Sequence, residues 1–590
     1  MAASRWCGRG GVLIPSATLA IPSAALAIPS AALAAVLVDE LCRAGLLHAV
    51  LAPGSRSAPL ALALHAETRT TVHVVIDERS AAFMALGIAR ATRAPALVLC
   101  TSGTAAANFH PAVIEADQAR VPLLVVTADR PEELRATGAN QTIDQTRLYG
   151  GAVRFYAEIA APHDSSAEAA SRWRSLVGQA YAAAAGPPRG PVHLNVAFRE
   201  PLVEPGGEPV DPSAGGRPEG RAWTETVVAA PRPSPEIAAG LAEEIAAVER
   251  GLIVAGDCDL DPGPVAELAE RAGWPLLAEP TSGARRGRQA ITTYDALLRH
   301  SPFAAAHRPE LVLRFGKPTL SRALSGLLHP EVPQVLVDRD AARLDPERAA
   351  SRIVAADEAL LCRALSERLE LREESSWLRS WRQAEGAARG AIDRVLDSYD
   401  TPSEPRAARD LAALVPDNGV LVAASSMPVR DLNSFMAARA GIRVLGNRGA
   451  SGIDGFVSSA VGVALVSPSR TYALAGDLSL LHDQNGLIGR ADADLALVVL
   501  NNDGGGIFSL LPQAGIASGF EELFGTPHGL DLATLARLYG LDYRRLERAG
   551  DLAAAVSGEG LTLIEVRTER KKNAELHQRL WSAVAAALGG

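Results

Sequence analysis

Cysteine is scarce in this 590-residue chain: Cys7, Cys42, Cys100, Cys258 and Cys362 are odd in number, widely scattered and never spaced as CxxC. That pattern excludes a disulfide framework and a zinc site of paired cysteines, and it fits a reducing compartment, read here as the cytoplasm. Positive charge is in short supply as well. Lys and Arg number 58 against 67 Asp and Glu, for a net charge of −9. No global basic field exists to hold nucleic acid, so an anionic ligand must meet a local cluster. A GxGxxG turn is absent where a nicotinamide-binding unit would need it. The charge-free stretch between Arg9 and Asp39 imitates a signal peptide, but it consists of tandem heptamers, IPSATLA from Ile14 and IPSAALA from Ile21 and Ile28. Pro15, Pro22 and Pro29 would each interrupt a spanning helix. The reading is a loose repeat-expanded tail over residues 1–28, no membrane partner, and a helix over Ala31–Ala44 opened by Pro29 and Ser30.

Hydrophobic residues make up 48% and charged residues 21% of the chain, the balance of a soluble globular protein too long for one core. Past residue 45, short β-branched runs alternate with longer Ala/Leu/Arg-rich stretches, the signature of βα units around parallel sheets. A first block over 29–203 has candidate strands at His48–Ala52, Val72–Ile76, Ala96–Cys100, Leu123–Thr127 and Val192–Val196. Nine of the sixteen residues from Pro205 to Gly220 are Pro or Gly, which places a linker at 204–235. A central block over 236–400 has strands at Leu252–Ala255, Leu311–Phe315 and Gln334–Val337, and ends in a charged helical stretch, Asp357–Asp397. The last block, 401–590, has strands at Gly419–Ala423, Arg443–Leu445, Thr471–Ala475, Leu495–Leu500 and Leu561–Val566. The expected class is α/β with three doubly wound parallel-sheet domains, whose ligands sit beyond the carboxyl ends of strands.

Two of those strand ends carry chemistry. Gly476-Asp477-Leu478-Ser479 follows one strand, and Asn501-Asn502-Asp503-Gly504-Gly505-Gly506-Ile507-Phe508 follows the next, with Asn502 25 residues after Asp477. Glycine beside an acid lets backbone amides approach phosphate oxygens, and Asp477 with Asn502 offers hard oxygen ligands suited to Mg²⁺. Two ordinary polar strand ends would read the same way.

GD followed after some 25 residues by NN resembles the thiamine diphosphate fingerprint of decarboxylases and carboligases, although Leu478 departs from the usual GDG. The first block adds Ala52-Pro53-Gly54-Ser55-Arg56-Ser57, Ile76-Asp77-Glu78-Arg79, Thr101-Ser102-Gly103-Thr104-Ala105, Thr127-Ala128-Asp129-Arg130-Pro131 and Gly138-Ala139-Asn140-Gln141. The last block adds Ser425-Ser426-Met427-Pro428-Val429-Arg430 and Gly446-Asn447-Arg448-Gly449-Ala450-Ser451-Gly452-Ile453-Asp454-Gly455. From about residue 29 onward, this ordered set resembles the 2-succinyl-5-enolpyruvyl-6-hydroxy-3-cyclohexene-1-carboxylate (SEPHCHC) synthase family of menaquinone biosynthesis.

The resemblance implies thiamine diphosphate with Mg²⁺, or Mn²⁺ in its place, ligated by Asp477, Asn502 and the carbonyl of Gly504. It implies that Glu78 hydrogen-bonds N1′ of the aminopyrimidine, and that Ser426, Ile453, Gly476, Leu478, Ser479, Ile507 and Phe508 complete the cofactor site. The implied reaction decarboxylates 2-oxoglutarate and adds the succinyl semialdehyde unit in a 1,4 sense to isochorismate. Both substrates are dicarboxylates, which planar guanidinium donors suit. Arg56, Arg130, Arg430 and Arg448 lie in motif loops with Ser55, Asn140, Gln141 and Ser426 as neutral donors, and Arg322 reaches in from the central block. Arg56, Arg430, Arg448 and Gln141 are the expected catalytic partners of Glu78. Any single arginine could instead be a solvated or structural ion-pair residue. His110, His482 and His528 are read as structural. The implied assembly is a homodimer or homotetramer with sites between subunits. The competing readings are an acetolactate-synthase-like carboligase, which needs fewer carboxylate clamps, and a non-catalytic member of the fold, which has no reason to keep Glu78, Asp477 and Asn502 together.

Overall fold

The computed structural model describes residues 29–589 apart from 204–215, 259–260, 342–343, 491–492 and 517. The expected tail over 1–28 and the start of the expected linker lie outside the described residues. Among the described residues seventeen strands form three sheets, and every pairing between these strands is parallel. The first sheet holds β1 (His48–Leu51), β2 (Thr71–Val74), β3 (Ala96–Cys100), β4 (Leu123–Asp129), β5 (Phe155–Ile159) and β6 (Pro191–Ala197), in the order β2-β1-β3-β4-β6-β5. The second holds β7 (Gly251–Ala255), β8 (Leu276–Ala278), β9 (Leu311–Phe315), β10 (Gln334–Val337) and β11 (Arg352–Val354), ordered β11-β10-β9-β7-β8. The third holds β12 (Val420–Ala423), β13 (Arg443–Leu445), β14 (Thr471–Gly476), β15 (Leu495–Asn501), β16 (Asp542–Arg545) and β17 (Thr562–Arg567), ordered β13-β12-β14-β15-β17-β16. The class is therefore α/β with three doubly wound parallel-sheet domains, and the first and third sheets share one topology.

Four strands carry no mark in the sequence pattern: β5, β8, β11 and β16. Each is an edge strand, and β5, β11 and β16 are partly exposed, so they lack the unbroken apolar run that buried central strands display. The charged helical stretch comprises two helices, Glu358–Ser366 and Ser376–Asp397. Their caps explain the break: Asp357 accepts from Leu360 N–H and Ser375 from Leu378 N–H, so each helix has its own N-terminus.

One apolar core spans the first and third domains. At its centre the helix Glu78–Thr92 crosses the helix Phe456–Val466, and glycines permit the approach. A Cβ on Gly87 would lie 2.1 Å from Ser459 O, and one on Gly462 would lie 2.2 Å from Met84 O. Both clashes are with backbone, so relief requires the helices to part. Gly87→Ala is expected to cost about 1–3 kcal/mol, measured as a lowered urea midpoint; an unchanged midpoint would show that the two helices pack loosely.

Candidate active site

In a doubly wound sheet the loops on either side of the reversal in strand order form the crevice for ligands. In the first sheet these are the loops after β1 and β3. Arg56, 8% exposed, donates from Nη1 to Phe198 O at 3.0 Å, sits 3.2 Å from the Glu200 carboxylate, and sends its backbone N–H to Thr101 Oγ1. Arg130, beyond β4, donates from Nη1 to Ser102 Oγ and from Nη2 to Asn140 O at 2.6 Å. Gln141, at φ 53°, donates from Nε2 to Ser102 O and accepts the Ser102 hydroxyl through its own carbonyl. Ser102 thus ties Arg130 to Gln141, a role its place in the TSGTA loop did not announce. Burial, and then the neighbouring Arg56 charge, lower the pKa of Arg130. Ser55, Asn140 and Gln141 are exposed.

Glu78 is the first residue of its helix and not a strand terminus, because β2 ends at Val74. Asp77 caps that helix by accepting from Ser80 N–H at 3.0 Å, and its other oxygen accepts from Asn485 Nδ2 at 2.9 Å. On the far side of Glu78, Arg79 donates to His482 O and Ser80 Oγ to Asp483 Oδ1. Glu78 itself is half-buried, and among the described residues its carboxylate has no hydrogen-bond or ion-pair partner. With no protein partner among the described residues, the carboxylate is free to meet a ring nitrogen.

The third sheet repeats the arrangement with the loops after β12 and β14. Ser426 precedes the helix Met427–Phe435 at φ 73°, a conformation rare for a residue with a side chain and typical of functional turns. Arg430, one turn into that helix, donates to Ser426 O at 2.7 Å. Arg448, 3% exposed, donates to Ser425 Oγ and to Thr319 Oγ1, both at 3.1 Å, and its buried Nε has no partner among the described residues. Its loop is clasped from the first domain, where the Glu115 carboxylate accepts from the N–H groups of Gly449 and Ala450. Burial lowers the pKa of Arg430, and the charges of Arg448 and Arg322 lower it further. Arg322 opens the helix Arg322–Leu327 that follows β9, beside the reversal in the central sheet, and is exposed. The structure therefore gathers Arg322, Arg430 and Arg448 into one cationic group and Arg56 and Arg130 into another.

Asp477 opens the short helix Asp477–His482 and Asn502 follows β15, so the two stand at adjacent strand ends. Asp477 is 1% exposed. Burial raises its pKa, against Gly504 N–H and Leu478 N–H, which donate to its two oxygens at 2.8 and 2.7 Å. His528, read as structural, donates from Nε2 to Asp477 Oδ2 at 3.3 Å, while its Nδ1 accepts from Leu530 N–H. Asn502 Oδ1 is buried and has no partner among the described residues. Gly504 runs at φ +133°, and a Cβ there would lie 1.9 Å from Gly525 O, so only glycine lets the chain turn here. A buried carboxylate, an orphaned amide oxygen and a glycine carbonyl form the hard oxygen set that Mg²⁺ prefers, and these residues fit the metal of a bound diphosphate. A Cβ on Gly476 would meet nothing within 4 Å, so open space adjoins that turn. Ser479 is buried, Leu478, Ile453, Ile507 and Phe508 are half-buried, and the Phe508 ring meets that of Phe524 at 5.4 Å with the planes tilted by 52°.

Sequence reasoning missed Glu279. It precedes a turn of the central domain, accepts from Leu320 N–H at 2.7 Å through Oε1, and leaves Oε2 buried with no partner among the described residues. Burial pushes its pKa up to about 7, against Leu320 N–H and the charge of Arg448. Its protonated form is thus favoured in the folded protein, so its contribution to stability is present below the unfolded value of 4.5 and is lost as pH rises towards 7. Glu279→Gln keeps the acceptor and removes the titration. The melting temperature of the variant relative to the wild type should rise by a few degrees between pH 5 and pH 8 in calorimetry; a constant difference would place Glu279 in a wetter site.

The chain matches two protein families, described as "Thiamine pyrophosphate enzyme, N-terminal TPP binding domain" over residues 31–148 and "Middle domain of thiamine pyrophosphate" over residues 238–423. It is 53% identical over 569 residues to the 2-succinyl-5-enolpyruvyl-6-hydroxy-3-cyclohexene-1-carboxylate synthase of Thermobifida fusca, covering 94% of this chain and 99% of that protein. The proteins of that name from Myxococcus xanthus and Geobacillus kaustophilus are 44% and 43% identical, each over 94% of this chain and 97% of their own length. With thiamine diphosphate-enzyme domains and relatives of this closeness over nearly its whole length, the chain belongs to the 2-succinyl-5-enolpyruvyl-6-hydroxy-3-cyclohexene-1-carboxylate synthase family of thiamine diphosphate-dependent enzymes.

Proposed function

We propose that this enzyme decarboxylates 2-oxoglutarate and adds the resulting succinyl semialdehyde unit to isochorismate, releasing CO₂ and forming SEPHCHC for menaquinone synthesis. The observation that carries the reading, beyond family membership, is the pair of arginine groups. In each, neighbouring guanidinium charges act on one another and are partly offset by Glu279 and Asp431 at Arg430 and by Asp129 and Glu200 at Arg130, and bound carboxylates would relieve the repulsion that remains. A pyruvate enzyme would not need so many.

Bound thiamine diphosphate supplies a nucleophilic carbon and an electron sink. The chain's residues do the rest. Asp477, Asn502 and the Gly504 carbonyl hold a Mg²⁺ or Mn²⁺ ion against the diphosphate, with Gly476, Leu478 and Ser479 lining its approach. Glu78 holds a proton at N1′ of the aminopyrimidine, which tunes the ring for proton removal. Ile453, Ile507 and Phe508 shape the cofactor and keep water from the reacting carbon. Arg56, Arg130, Arg322, Arg430 and Arg448 grip substrate carboxylates, with Ser55, Asn140, Gln141 and Ser426 as neutral donors. The enzyme works in the cytoplasm as a homodimer or homotetramer, each site completed by a second copy. Support for that assembly comes from Val74 and Ile76, 54% and 69% exposed, just before Glu78, an apolar surface that a partner would cover. Among the described residues no helix is long and apolar enough to cross a membrane.

The test is a continuous assay with thiamine diphosphate, Mg²⁺, 2-oxoglutarate and isochorismate, beside a pyruvate control. Isochorismate consumption that requires 2-oxoglutarate is the expected result. Release of CO₂ from 2-oxoglutarate with isochorismate untouched would overturn the acceptor, and turnover of pyruvate alone would overturn the donor.

A further inference from the structure

Glu404 is the first residue of the helix Glu404–Leu414 and is 1% exposed. Its Oε1 accepts two hydrogen bonds, one from Asn502 Nδ2 and one from Thr568 Oγ1, both at 2.9 Å. On the opposite end of the same amide, Asn502 Oδ1 is buried with no partner among the described residues. An asparagine amide has a donor end and an acceptor end of nearly equal shape, so its orientation depends on what surrounds it. A carboxylate oxygen that already takes the Thr568 hydroxyl can only accept. It therefore fixes which end of the amide faces it. The flipped amide would set oxygen against oxygen at Glu404 and turn N–H groups towards the metal position. The other oxygen, Oε2, is buried with no partner among the described residues.

Two further features hold the amide in place. Gly506 allows the backbone to close on it, since a Cβ there would lie 2.5 Å from Asn502 Nδ2. Thr568 is itself anchored where its N–H donates to Asn501 O at 2.9 Å. Asn502 and Thr568, remote from each other and from Glu404 in sequence, thus meet at one carboxylate oxygen.

We propose that Glu404 is the positioning residue that presents Asn502 Oδ1 to the divalent cation of the bound diphosphate. The inference rests on the reading of Asn502 as a metal ligand. Glu404 does not touch the cation; it removes the freedom of the amide to present its nitrogen, so that no reorganisation accompanies metal entry.

The experiment titrates Mn²⁺ into full-length protein in the presence of thiamine diphosphate and follows free Mn²⁺ by electron paramagnetic resonance, with no substrate present. Glu404→Leu, which keeps the volume and removes the acceptor, is expected to weaken Mn²⁺ binding about 10–100-fold, whereas Glu404→Gln, whose Oε1 still accepts from both donors, stays within about threefold of the wild type. A folded Glu404→Leu protein that binds Mn²⁺ as the wild type does would overturn the proposal, whatever its loss of melting temperature. Should Glu404→Leu fail to fold, Glu404→Asp takes its place, because the shortened side chain withdraws the acceptor from Asn502. It must then weaken Mn²⁺ more than Glu404→Gln does, and equal affinities would overturn the proposal. Asn502→Ala separates the two readings: wild-type Mn²⁺ affinity in that variant removes Asn502 as a ligand, whereas loss in Asn502→Ala without loss in Glu404→Leu removes only the role of Glu404.

Discussion

Glu78→Gln is expected to lower kcat about 10²–10⁴-fold while leaving circular dichroism and the melting temperature close to those of the wild type. The separation of the two effects follows from local structure. The helix that begins at Glu78 is capped by Asp77, and its packing against the third domain runs through Gly87 and Phe83, with Gly87 on Ser459 and Phe83 beneath Gly455. The Glu78 carboxylate takes no part in either and has no protein partner among the described residues. Neutralising it therefore breaks no hydrogen bond or ion pair among the described residues. A glutamine of the same length keeps the shape but cannot hold a proton at N1′. The measurement is steady-state turnover of the substrate pair with thiamine diphosphate binding followed separately by tryptophan fluorescence. Turnover within a few-fold of the wild type would remove Glu78 from the chemistry. A collapse of melting temperature would mean that its carboxylate has a structural partner.

What the sequence showed and what it concealed divide along the range of the interactions. Asp477, Asn502 and the arginine loops stood out because a parallel sheet ends each central strand abruptly, and the turn that follows carries glycines and polar residues in a short, ordered string. The central strands were legible for the same reason, being apolar on both faces. The edge strands β5, β11 and β16 were not, since one face meets water and the run is broken. Strand order was also hidden, and with it the shared topology of the first and third sheets. The residues that support the site were concealed most completely. Glu404 lies 98 positions from Asn502, and Glu115 lies more than 330 from the loop it clasps. Nothing in the neighbours of either residue records the contact, because a lone buried glutamate has no local pattern. His528 and Ser102 were visible as residues, but their partners were not.

Mixing two inactive variants, Glu78→Gln and Asp477→Ala, is expected to restore about one quarter of wild-type activity if the site is shared between two copies. Random assortment makes half of the dimers hybrids, and each hybrid carries one site with both residues intact and one with neither. The exposed apolar surface beside Glu78 favours this outcome. The residues flanking Glu78 are bound to the turn after Asp477–His482 in their own chain, through Asp77 to Asn485, Arg79 to His482 and Ser80 to Asp483. Those bonds fix the helix N-terminus, yet none of them joins Glu78 to Asp477, Asn502 or Gly504, whose own partners are Gly504, Leu478, His528 and Glu404. Beside Glu78 lie the exposed apolar side chains of Val74 and Ile76, which a monomer would leave in water at a cost of about 25 cal/mol per Å². The variants are co-expressed with different tags, and hybrids are isolated by tandem affinity steps before assay. Purified hybrids should then reach about half of wild-type activity, one site in two. Hybrids with no more activity than the parent variants would show that Glu78 and Asp477 serve the same site from a single chain, and the exposed surface around Val74 and Ile76 would then need another partner.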